Sequence, residues 1–298
     1  MTAQPRFDVA FLGHYTKDTI VIDGKEKIVD GGAINYGANV TARMGLRTAV
    51  ITRMASGDFK VLDDLGRMGV QLFRRAAAES TQLRLVYPSR NLDERVIYLT
   101  GFAGPFLNED VDDVEASIVH IGASVRGEVP VELIRLLKRK SGRVSLDVQG
   151  FIRINSGGKL VFDGWREKVE VLGQADVVKA DLVEATLLTD KHDKHEGAEA
   201  LAALGPSEIV LTHNEGVLVY AEKRFYEMAF VPNELRGRSG RGDTCIAAYL
   251  GKRLTASPEE ATVWAAAVTS LKLESEGPFR RDIREVRDLI DRKYLSRG

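Results

Sequence analysis

Cysteine is almost absent from this chain. Cys245 stands alone among 298 residues, so no disulfide can form within it. Long apolar runs are missing too, and nothing approaches the roughly 20 residues that span a bilayer. The N-terminus, Met-Thr-Ala-Gln-Pro-Arg-Phe-Asp, has no apolar stretch of the kind that opens a secretory signal. A cytoplasmic location is expected on these grounds. Charge of one sign is lacking as well. The 42 basic and 43 acidic residues leave a formal net charge of −1, which gives no global field for nucleic acid or membrane. No internal repeat, low-complexity tract or clear linker breaks the chain, so a single domain over 1–298 is expected.

What is present is an ordinary globular composition, 44% apolar and 29% charged. Short apolar runs such as 7–13, 48–53, 118–121, 144–148, 177–179 and 209–212 alternate with segments of helical character. That alternation predicts a mostly parallel sheet covered on both faces, a three-layer α/β/α arrangement. Two stretches read differently. Residues 19–29 contain Asp23-Gly24, a hairpin turn signal, and residues 82–102 alternate around Pro88-Ser-Arg-Asn. The second reads as an antiparallel insert, and together they predict a small β lid outside the main sheet.

The most informative segment is Gly237-Arg-Ser-Gly-Arg-Gly-Asp-Thr-Cys-Ile-Ala-Ala-Tyr-Leu250. Gly240 and Gly242 flank Arg241 and lead into Asp243, and a helical run follows at once. Glycines ahead of a helix let amide protons converge on an anion, and the helix dipole adds to the attraction. A carboxylate is out of place in a site that only holds phosphate. It makes sense if Asp243 takes a proton from a hydroxyl that attacks the phosphate. The structural alternative is a tight turn with Asp243 as a helix cap. The loop is neither a Walker A sequence nor a Rossmann fingerprint.

Two further segments are candidates. Gly31-Gly32-Ala-Ile-Asn-Tyr-Gly-Ala38 places small residues at a helix start, for a ligand or for close helix packing. Asp18 ends Gly13-His-Tyr-Thr-Lys-Asp and is either a hydroxyl acceptor or a solvated loop residue. The acidic and histidine-rich turn at 190–195 reads as solvated rather than metal-binding. Cys245 reads as a buried packing residue.

Taken in order, these residues resemble the ribokinase-like PfkB carbohydrate kinases over nearly the whole chain. Gly240-Arg241-Gly242-Asp243 matches the last four positions of that family's C-terminal signature, with Arg for Ala; the leading Asp-Thr is absent. Gly31-Gly32 through Gly45 matches the N-terminal signature. The family's sugar-binding Asn falls on Tyr36, with Asn35 beside it. Asp181-Leu-Val-Glu184 falls on Asn-x-x-Glu, Thr212-His-Asn-Glu-Gly216 on Thr-x-Gly-x-x-Gly, and Asp147-Val-Gln149 on Asp-x-Asn. The Tyr36, Gln149 and Gly-Arg-Gly-Asp-Thr patterns are similar to the cyclitol (myo-inositol) kinase-like branch.

The resemblance implies an ATP- and Mg²⁺-dependent kinase that phosphorylates a hydroxyl of a sugar or polyol, with a cyclitol favoured. Asp243 is then the general base, and the amides of Gly240, Arg241 and Gly242 form the anion hole. Asp18, Gly31, Gly32, Asn35, Tyr36 and Gln149 bind the acceptor. Lys179, Asp181, Thr212, Asn214, Gly216, Thr269 and Gly277 bind the nucleotide. Glu184 and Asp181 act with the metal. Arg238 and Arg241 either hold the triphosphate or face solvent. In this family the lid often doubles as a dimer surface, so the resemblance also implies a homodimer through it. A nucleoside acceptor and a non-catalytic sugar or nucleotide sensor stay open as alternatives.

Overall fold

The computed structural model describes residues 6–88 and 95–295. The turn expected around Pro88-Ser-Arg-Asn lies largely outside them. Their main sheet runs, from one edge, Gln71–Ala77, Thr48–Ala55, Phe7–Leu12, Ala116–Ile121, Arg143–Asp147, Val177–Asp181, Glu208–Thr212, Gly216–Ala221 and Arg224–Ala229. The first seven are parallel, and the last two add an antiparallel edge. The central strands bury both faces. Val177, Val178 and Ala180 are fully buried, as are Ile209, Val210 and Leu211. Such continuous apolar runs belong to parallel strands with helices on each side.

Two cores fill those layers. One packs Leu133, Ile134 and Leu137 of the helix Val131–Lys140 against one sheet face. The other packs the helices Ala33–Arg43, Arg241–Arg253 and Pro258–Leu273 against the opposite face. The helix Pro258–Leu273 is buried nearly all round, because Ala261, Ala265, Ala266 and Ala267 let its neighbours approach closely.

A second sheet forms the lid, in the order Arg153–Ser156, Lys159–Phe162, Val96–Gly101, Thr81–Tyr87, Thr16–Ile22 and Lys25–Gly31. It is larger than the expected lid of 19–29 and 82–102. The first hairpin strand already begins at Thr16, and the strands of 153–162 are an addition. Gly157 and Gly158 turn this extra hairpin with φ of 59° and 89°. A Gly-Gly pair between two alternating runs is the signal that would have found it.

Candidate active site

The central strands end at one cleft of about 400 Å³ between the main sheet and the lid. Gly240 caps the helix Arg241–Arg253 in the left-handed region, with φ 72° and ψ 14°. That turn aims the first amides of the helix into the cleft. The Arg241 amide does not join them, because it donates to the Arg238 carbonyl at 3.2 Å. The Thr244 amide closes the first helical bond onto Gly240 at 2.9 Å. The amides of Gly242 and Asp243 have no partner inside the helix. Of the three amides expected to face an anion, that of Arg241 is therefore engaged by Arg238, and the Asp243 amide is free of the helix in its place.

The Asp243 carboxyl lines the cleft, half-buried. Burial pushes its pKa up to about 6, and Asp147 adds to the rise; Lys179, Lys272 and Arg153 oppose it. A carboxyl poised there can accept a proton near neutrality while two amides hold an anion beside it.

Asp18 and Tyr36 line the same cleft with Thr16, Gly32 and Gln149. Asp18 Oδ1 is buried without a hydrogen-bond partner among the described residues. Its pKa is pushed up to about 6, mainly by burial. Leu83, Leu85 and Ile97 of the lid close over this polar floor. Gly31 is needed for the packing of Asp18, since a Cβ there would lie 2.4 Å from Asp18 Oδ2. Asn35 turns elsewhere: its Nδ2 donates to the Asp30 carbonyl at 3.2 Å, and it lines a second, larger cavity.

On the donor side, Lys179 is buried 3.0 Å from Asp147 Oδ2 and 3.7 Å from Glu184 Oε2. Burial alone would lower Lys179, but Asp147, Glu184 and Asp181 hold it well above its ordinary range. Asp181 and Glu184 form a reciprocal helix cap. The Asp181 amide donates to Glu184 at 2.7 Å, and the Glu184 amide donates to Asp181 at 2.8 Å. Glu184 is therefore buried as a cap and an ion-pair partner, while Asp181 lines the cleft with Thr212 and Asn214. Among the described residues no group of three acids, histidines or cysteines forms a metal cage.

Other expected donor residues lie apart. Thr269 is wholly buried inside its helix. Gly277 lines the second cavity, and Gly216 packs against Met228. The acidic and histidine-rich turn is solvated, as expected. His195, with 41% of its side chain exposed, stacks edge-on with Phe225.

Arg153 was not anticipated. It sits on the extra lid hairpin, is buried, and lines the cleft. Its guanidinium lies over the Phe162 ring, 5.9 Å from the centroid, and Glu184, Asp147 and Asp181 favour its charge from a distance. Nothing in the local sequence marks it, because it reaches the cleft only through the 153–162 hairpin.

No family model matches the chain. It is similar to a pyrophosphate-dependent kinase of the ribokinase family solved with a pyrophosphate analog and myo-inositol. The two are 36% identical over 94% of this chain and 99% of that one, with a TM-score of 0.87. The cytidine kinase of Thermococcus kodakarensis is 24% identical over 270 residues, 86% of this chain and 92% of its own length. The ribokinase of Arabidopsis thaliana, solved with ribose and ATP, shares the fold at 19% identity. Its TM-score is 0.75, over 95% of this chain and 98% of that one. No helix among the described residues is long and apolar enough to cross a membrane. On the 36% match over almost its whole length, this chain belongs to the ribokinase family and is a phosphotransferase.

Proposed function

We propose that this chain transfers a phosphoryl group from pyrophosphate to a hydroxyl of a cyclitol such as myo-inositol. One observation carries the reading: the Asp243 carboxyl stands in the first turn of its helix, beside amides with no partner inside that helix, in a cleft it shares with Asp18, whose Oδ1 has no hydrogen-bond partner among the described residues.

Asp243 accepts the hydroxyl proton as the oxygen–phosphorus bond forms. The bond to the bridging oxygen breaks, and inorganic phosphate leaves. The Gly242 and Asp243 amides hold charge on the transferred group, a contribution of preorganised dipoles rather than covalent chemistry. Asp18, Tyr36, Gln149 and the backbone at Gly32 orient the acceptor. The lid keeps water from the donor.

The donor end of the cleft supports a compact polyphosphate. Arg153, Lys179, Arg238 and Arg241 all line the cleft, a set of cations suited to a polyphosphate. Thr269 and Gly277, the residues expected near a nucleobase, lie away from it. The relative solved with a pyrophosphate analog and myo-inositol supports the same donor and acceptor. Mg²⁺ would enter on the donor phosphates and neutralise part of their charge, with Asp181 reaching it through water. ATP is the rival donor. A nucleoside is the rival acceptor, favoured by the cytidine kinase relative.

The test is a matrix of donors (pyrophosphate, ATP) and acceptors (myo-inositol, ribose, cytidine), read by phosphorus NMR with Asp243→Asn as control. Transfer from pyrophosphate to myo-inositol at the highest kcat/KM is expected. Preference for ATP overturns the donor, and preference for cytidine overturns the acceptor. Equal transfer by the Asp243→Asn variant overturns the mechanism.

A further inference from the structure

Lys272 is used by none of the steps above, yet its side chain is among the largest that are fully buried. It lies in the last turn of the helix Pro258–Leu273. Its Nζ donates to the carbonyl of Gly237 at 2.8 Å and to that of Ser239 at 2.5 Å. The Tyr36 ring lies 5.7 Å away. Among the described residues its hydrogen-bond partners are carbonyls, not carboxylates. Burial lowers its pKa to about 8, and Asp243 and Glu276 work against that fall.

A buried ammonium is costly unless dipoles replace its water. Here two carbonyls, an aromatic face and the negative end of its own helix do so. The same contacts constrain the loop. Carbonyls 237 and 239 turn toward the ammonium, and the carbonyl between them, on Arg238, takes the Arg241 amide. This alternation leads the chain into the left-handed Gly240 and exposes the amides of Gly242 and Asp243. The segment cannot slide away, because the amides of Arg236 and Gly237 both donate to the Leu273 carbonyl. Two carbonyl oxygens converging on one buried positive point are the chemistry of a monovalent-cation site.

We propose that the Lys272 ammonium is a tethered monovalent cation that braces the anion loop, so that this chain works without a free potassium or ammonium ion. Lys272 is a positioning residue: it acts through the backbone of 237–240. The kinetic half of this inference rests on the proposed phosphoryl transfer; the stability half does not.

The experiment compares wild type, Lys272→Ala and Lys272→Gln in chlorides of N-methylglucamine, sodium, potassium and methylammonium at one ionic strength. Thermal midpoint and turnover are both read. Wild type is expected to vary by no more than about twofold in rate across the salts, since ionic strength is fixed. Lys272→Ala is expected to lose about tenfold or more in rate in N-methylglucamine, with a lower midpoint, because two buried carbonyls lose their donor. Potassium or methylammonium then restores both readings, by filling the vacated space. Lys272→Gln, which fills that space without charge, is impaired and not restored.

Strong potassium activation of the wild type overturns the inference, and needs no variant to fold. So does a folded Lys272→Ala protein that small cations restore no better than N-methylglucamine. If wild type transfers phosphate from no donor, the functional reading fails, while the midpoints still decide the role of Lys272.

Discussion

The Tyr36 ring lies against Gly240, so closely that a Cβ on Gly240 would sit 2.1 Å from its Cδ1. This contact joins the two signature segments, one at a helix start near the N-terminus and one at the anion loop. Gly240 also holds φ of 72°, which an L side chain adopts only under strain. Gly240→Ala is therefore expected to cost about 1–3 kcal/mol through strain and overpacking. The rate should fall further than stability does, because the displaced loop carries the amides proposed to hold the transferred group. Denaturant unfolding and turnover measured on one preparation test this. An unchanged kcat in the alanine variant would contradict the assigned role of the turn.

Asp243 must be ionised to accept a proton, and its pKa is raised to about 6 by burial and by Asp147. The kcat/KM should therefore fall as pH drops below about 6. Asp18, raised to about 6 as well, adds a second proton to the same limb if it binds acceptor hydroxyls as a carboxylate. Wild type should show an acid limb steeper than one proton, and Asp18→Asn a limb of one proton. Asp243→Asn should lose about 10²–10⁴ in rate. A flat profile between pH 5 and 8 would remove Asp243 from the role of base.

The carboxyl of Asp18 also bears on stability. Its folded pKa of about 6 lies above the usual 3.8, so the folded state holds a proton that the unfolded chain releases. Stability from this group is present at low pH and is lost as pH rises from about 4 to about 6. Asp18→Asn removes that loss. It should raise the thermal midpoint at pH 8, with the gain shrinking below pH 4, even as acceptor binding is lost. A thermal scan at the two pH values tests it, and an equal change at both would refute the linkage.

These residues show how far the sequence could be read. The turn into the helix Arg241–Arg253 was legible because its signal is local: two glycines, an acid and a helix start fall within a few positions. The parallel sheet was legible because burial on both faces writes itself as apolar runs. Arg153 was not legible, since only the pairing Arg153↔Phe162 in the lid brings it to the cleft. Nor was the engagement of the Arg241 amide with Arg238, which depends on a single carbonyl's direction. Lys272 lies in a helix buried nearly all round, and its meaning appears only when carbonyls 237 and 239 are seen to face it. Glu184 matched a motif by position, and the structure adds that its Oε2 takes both the Asp181 amide and the Lys179 ammonium, which no local pattern announces.

The Lys179–Asp147 pair lies under the loop, with 6% and 4% of the two side chains exposed. A Cβ on Gly242 would lie 3.0 Å from Lys179 Nζ, so the ammonium is directly beneath the turn proposed to hold the anion. Lys179→Met leaves Asp147 and Glu184 buried without their cation. That change should cost about 3–5 kcal/mol, as expected for a broken buried pair. Adding Asp147→Asn should restore part of the stability but not donor binding, because the positive charge is still missing. Titration with pyrophosphate separates the two effects. A double variant that binds donor like wild type would show that Lys179 serves the fold alone.

Arg153 offers the sharpest division between donor and acceptor. Its guanidinium is buried at the cleft with no ion-pair partner among the described residues, and burial lowers its pKa from the usual value. An unpaired buried cation is unfavourable until an anion arrives. Bound phosphate would supply that anion, in charge-assisted and bidentate contacts. Arg153→Met keeps the bulk over Phe162 and removes the charge. Pyrophosphate KM should rise about tenfold or more, with acceptor KM little changed and free-protein stability unchanged or higher. Arg153→Lys should recover only part of the affinity, since a single ammonium cannot make the paired contact. If the methionine variant instead raises acceptor KM and leaves donor KM alone, Arg153 belongs to the acceptor end and the two ends of the cleft have been assigned the wrong way round.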